Sequence, residues 1–133
     1  MDRIFRQSGG ANYRIDIADT TTWNFTTALD TAAPLCTTFN PLDDAVGVAL
    51  SSNLVLTCNE DMQAGTGNIV ILNSDTTVFE SIPVSDPRIT IVGAVITIDP
   101  SLNFASASGY NISIASGVLE DTSGNAFTGI SSP

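Results

Sequence analysis

Lysine and histidine are both absent from this chain of 133 residues, and its only bases are Arg3, Arg6, Arg14 and Arg88. Fourteen acids outnumber them and set a net charge of −10. Binding to nucleic acid or an anionic membrane runs through Lys and Arg contacts to phosphate, so this balance argues against both. Without histidine there is no imidazole to activate a serine or a thiol, and general acid–base options are few. Zinc is disfavoured too, since only two cysteines are present. No apolar run approaches the roughly 18 to 20 residues that cross a bilayer. Met1-Asp-Arg-Ile-Phe-Arg6 lacks the apolar stretch of a secretion signal. No phosphate-binding glycine loop or serine-nucleophile motif is found, and chance carboxylate pairs among fourteen acids do not make a glycosidase. The residues give no enzyme.

What is present is alternation. Hydrophobic residues make up 43% of the chain, enough for one domain with a core of its own. Their spacing is period 2, with no sustained helical period. Strands are predicted at 36–39, 48–58, 68–72, 78–84, 88–92, 95–98 and 110–115, with a single helical turn near Ser101–Ala105. Gly93-Ala94 joins two strands as a tight hairpin. Residues 117–129 read as a long loop, and 1–19 as a poorly ordered leader. Short strands with regular turn signals predict an all-β, antiparallel sandwich of about seven or eight strands over 20–133.

One pattern occurs twice. Tyr13-Arg-Ile15-Asp-Ile17-Ala18 returns 97 residues later as Tyr110-Asn-Ile112-Ser-Ile114-Ala115. The first copy is followed by Trp23-Asn-Phe25-Thr-Thr27, and the second has no such sequel. The chain reads as a piece of a tandem array, with the end of one repeat at its front and most of the next behind it. On this reading the strand at 20–29 fills the closing slot of the sandwich. It does so in cis, by folding back on its own chain, or in trans, by inserting into another molecule. Trp23 and Phe25 share a strand face and read as anchors packed into the core, with a sugar-stacking platform as the other reading of Trp23.

The order Ala33-Pro34, Pro41-x-Asp43-x-Ala45, Asn53-Leu-Val-Leu56-Thr-x-Asn59-Glu60, Gly65-Thr-Gly67-Asn68-Ile-Val-Ile71, Thr97-Ile98-Asp99-Pro100, Gly109-Tyr110 and Asp121-x-x-Gly124-Asn125-x-Phe127 resembles the bacterial Ig-like repeat of S-layer proteins, large surface adhesins and cyanobacterial cell-surface proteins. The resemblance implies an antiparallel immunoglobulin-like β-sandwich, in an exported, non-enzymatic module serving as a stalk or adhesive surface outside the cell. Its expected partners are neighbouring repeats, a surface glycan or protein, and further copies through strand exchange. A carbohydrate-binding module of a secreted enzyme and a calcium-stiffened linker are the alternatives. Cys36 and Cys58 stand where the family carries apolar residues, on strands expected to be neighbours. They form either a disulfide or two buried thiols. Asp43, Asp44, Glu120, Asp121 and Asn125 are candidate calcium ligands. The same residue types also form turns by bonding their own backbone. If every connection reverses direction, the loops of Asp43 and Glu120 share one end of the sandwich, and Glu60-Asp61 lies at the other.

Overall fold

The computed structural model describes residues 22–131. The leader and the Tyr13–Ala18 copy of the repeat lie outside the described residues. Nine strands follow in order: β1 (Cys36–Asn40), β2 (Leu54–Cys58), β3 (Met62–Ala64), β4 (Asn68–Asn73), β5 (Val78–Pro83), β6 (Ile89–Val92), β7 (Val95–Ile98), β8 (Tyr110–Ile114) and β9 (Leu119–Asp121). There is no helix among the described residues, and 101–105 form a bend at Ser101–Leu102 followed by irregular chain rather than a helical turn.

The strands make one sheet in the order β1-β2-β7-β6, a second in the order β5-β4-β8, and a short β3-β9 ribbon. Every pairing is antiparallel. Alternation explains which side each strand buries. Leu56, Ile96 and Ile98 point inward from the first sheet, and Ile69, Ile71, Ile82 and Ile114 from the second, meeting in one core closed by Val118, Leu119 and Phe127. Together the two sheets form the antiparallel sandwich that the residue pattern predicts, with the immunoglobulin-like fold that the resemblance implies.

The second strand is shorter than its alternation suggests. Residues 48–53 stay outside the sheet, and their turn is closed by the Ser52 N–H donating to the Ala49 carbonyl. Strand β7 reaches only from Val95 to Ile98 and so pairs with no residue before Leu54. Alternation without a partner strand does not make a strand. Conversely, the predicted loop 117–129 contains β9, which pairs with β3. That approach depends on Gly65, where a Cβ would collide with the Gly117 carbonyl.

One polar network joins the two sheets, and one aromatic cluster packs along the second. Glu80 of β5 takes an ion pair from Arg88, just before β6, and accepts hydrogen bonds from the Ser101 N–H and hydroxyl at 3.0 and 2.9 Å. Asp86 adds a second ion pair to Arg88 at 3.1 Å. Phe79, Phe104 and Tyr110 stack with ring centroids 4.7 to 5.5 Å apart. The Tyr110 hydroxyl accepts from the Ala105 N–H at 2.8 Å.

Candidate functional site

Two features stand out: an acidic pole and an open edge. At the pole, Asp121 ends β9 and turns the chain on its own side chain. Its carboxylate accepts from the backbone N–H of Ser123 at 2.9 Å and of Asn125 at 2.8 Å, and from the Asn125 amide at 2.9 Å. Asp121 is fully buried. Burial alone would raise its carboxyl, but the donors of Asn125, Ser123 and Gly124 outweigh that and hold it below the ordinary aspartate value. The same Asn125 amide donates to the Asp30 carbonyl at 3.1 Å, tying the segment that leads into β1 onto this turn.

Carboxylate oxygens of Asp30, Glu60 and Asp121 lie within 4.8 Å of one another. Partial burial, then the Asp121 and Asp30 charges, push Glu60 above the usual glutamate value. Such oxygens are the ligands hard cations take. Asp121, however, already serves three donors, which makes its carboxylate the anchor of the turn. Of the predicted calcium ligands, Asp121 and Asn125 meet here. Glu120 turns away to accept from Gln63 at 3.1 Å. Asp43 and Asp44 follow the far end of β1, so the expected pairing of the Asp43 and Glu120 loops is wrong. Pairing of β9 with β3 carries Asp121 to the Glu60 end instead. Asp30 carried no signal in the sequence and the Glu60 loop was expected at the end opposite Glu120, because only the tertiary fold brings positions 30, 60 and 121 together.

Cys36 and Cys58 are directly opposite in the β1–β2 register and form a disulfide, with Cα atoms 3.8 Å apart. The Asn59 side chain reinforces this corner, its carbonyl accepting from the Leu35 N–H at 2.9 Å. In the chain-entropy view, a loop of this size is worth roughly 3 kcal/mol.

The open edge lies between β1 and β8, each the last strand of its sheet among the described residues. Ile114 and Ile130 exchange two backbone hydrogen bonds of 2.8 Å. Below that bridge β8 has no outer partner among the described residues. An apolar cleft of about 70 Å³ opens there, lined by Phe39, Leu54, Leu56, Ile98, Ile112 and Ile130 among others. Trp23 and Phe25 do not fill it. Residues 22–30 form no strand, and the two aromatic side chains are 78% and 77% exposed, so the expected packing of Trp23 into its own core is corrected.

Among the described residues no helix is long and apolar enough to cross a membrane. No curated protein and no solved structure matches the chain. A family profile described as a bacterial Ig-like domain matches residues 30–132, from the Asp30 clasp through the Ile130 bridge. The chain therefore belongs to the bacterial Ig-like domain family.

Proposed function

We propose that this domain is a non-enzymatic structural module of an exported bacterial protein, spacing other parts of that protein at the cell surface and adding adhesive area. The observation that carries this reading is the clasp between the Asp30 carbonyl and the Asn125 amide. It fixes the segment leading into the domain against a turn that is itself held by the buried Asp121. A spacer needs such fixed approaches, because a loose link would let neighbouring parts swing. The cross-strand disulfide supports a location outside the reducing cytoplasm. The high net negative charge suits an exposed, soluble surface.

The test is labelling of intact source cells with an antibody raised to the folded domain, before and after mild external proteolysis. Surface labelling that the protease removes is the expected result. Labelling only after the cells are permeabilised would overturn the surface assignment.

A further inference from the structure

We propose that the cleft between β1 and β8 is a docking groove for the Trp23–Thr27 segment of a second copy of this chain, so that copies join head to tail by strand exchange. The inference goes beyond the spacer reading and does not depend on where the parent protein resides.

Four observations carry it. First, the groove offers both things a strand needs. Its walls are apolar, and the edges of β1 and β8 present backbone groups with no strand against them among the described residues. Such edges take up an extended segment readily. Second, the chain carries a matching segment. Trp23, Phe25 and Thr27 fall on one face of an extended strand, Asn24 and Thr26 on the other, and the two aromatics are exposed. Third, residues 20–29 contain no charge, so the segment can approach a domain of net charge −10 without adding to the repulsion.

Fourth, strand direction favours a second molecule over the same one. The Ile114–Ile130 bridge is antiparallel. A closing strand that continues it runs down β8 past Ile112 to Tyr110, away from the Asp121 turn. With Trp23–Thr27 in that place, Thr27 lies at the Tyr110 end. Asp30, three residues on, sits on Asn125 at the other pole. Three residues span at most about 10 Å. The run from Tyr110 to Ile114 alone is about 13 Å at strand rise, and Asn125 lies beyond it. The segment therefore cannot close its own groove in this direction while the Asp30 clasp holds. A second copy has no such limit. Its Trp23–Thr27 fills the groove, its Asp30 clasp follows directly, and its own groove stays open for a third copy. A contact of this kind is heterologous and propagates into chains or closes into a ring.

The experiment uses the full chain and its sole tryptophan. Light scattering during size exclusion is run over a range of protein concentrations, with tryptophan emission read on the same samples. The molar mass is expected to rise above the 13.9 kDa of one chain, by whole multiples, as the emission shifts to the blue. Added salt should promote the rise by screening the like charges. The double variant Trp23→Ser/Phe25→Ser, altered only at exposed positions, is expected to stay monomeric at every concentration. A synthetic peptide of residues 20–29 should bind that variant saturably at one per chain. Three results would each overturn the proposal: a wild-type chain that stays monomeric throughout, a double variant that assembles as the wild type does, or a peptide that does not bind.

Discussion

Ile114 and Ile130 bond each other twice through their backbones, at 2.8 Å in both directions, and this single bridge is where the second sheet stops. The crossing is made possible by Gly129, which precedes it with φ +99°. A Cβ at that position would strike the Ile114 carbonyl.

Gly129→Ala therefore loses stability in two ways, through an unfavourable φ and through a clash with backbone that cannot swing aside. The expected loss is about 2 kcal/mol, seen as a lower urea midpoint at unchanged slope. An alanine variant as stable as the wild type would show that 129–130 do not bridge β8 in solution.

Glu80 holds Arg88 and Ser101 at once and so joins the β5 edge to the start of β6 and the loop after β7. Burial raises its carboxyl, but the Ser101 donors and Arg88 outweigh that, and the group sits below the ordinary glutamate value. A depressed carboxylate contributes stability above its unfolded pKa, and that contribution is lost as pH falls through the folded value. Glu80→Ala should cost about 1–2 kcal/mol at pH 7. The difference should shrink on acidification below about pH 4. Denaturant melts at several pH values check this, and a loss that does not change with pH would contradict it.

Glu60 has the opposite sign. Its folded pKa is raised, so its contribution is complete below the unfolded value and disappears as pH rises through the folded one. Glu60→Gln keeps the neutral form at all pH. The variant should melt above the wild type at pH 7, and the gap should close as the pH falls below about 4. Thermal scans across that range read it directly. A variant that melts lower at pH 7 would mean that the Glu60 charge is compensated by something other than the proton.

Much of the sandwich was legible because its strands alternate cleanly. The runs Asn68–Leu72 and Val95–Ile98 each bury one face, as period 2 requires, whereas Tyr110–Ile114 at the open edge buries only Ile114 fully. Legibility failed where pairing rather than propensity decides. Val48 and Leu50 alternate like strand residues yet lie beyond the reach of β7. Leu119–Asp121 is too short to carry a periodic signal, and it becomes a strand only because Gly65 has no Cβ to meet the Gly117 carbonyl and so lets β3 come close. The acidic pole was half visible. Asp121 and Asn125 announce a turn by their spacing, whereas Asp30 and Glu60 arrive from distant loops with no local pattern. Trp23 and Phe25 read as core residues because an aromatic strand face usually has a core to enter. In this chain both side chains stand exposed instead.

The most direct test of the structural role is to pull the full chain by its two ends, one molecule at a time, in oxidising and in reducing buffer. A module that carries tension resists and then yields in one cooperative event. The Cys36–Cys58 bridge keeps a stretch with a sequence separation of 22 residues from extending. Reduction should therefore lengthen the released contour by about 75 Å, at about 3.4 Å per residue. A chain that extends without a force peak, or that releases the same length in both buffers, would contradict the account of this domain as a disulfide-stapled spacer.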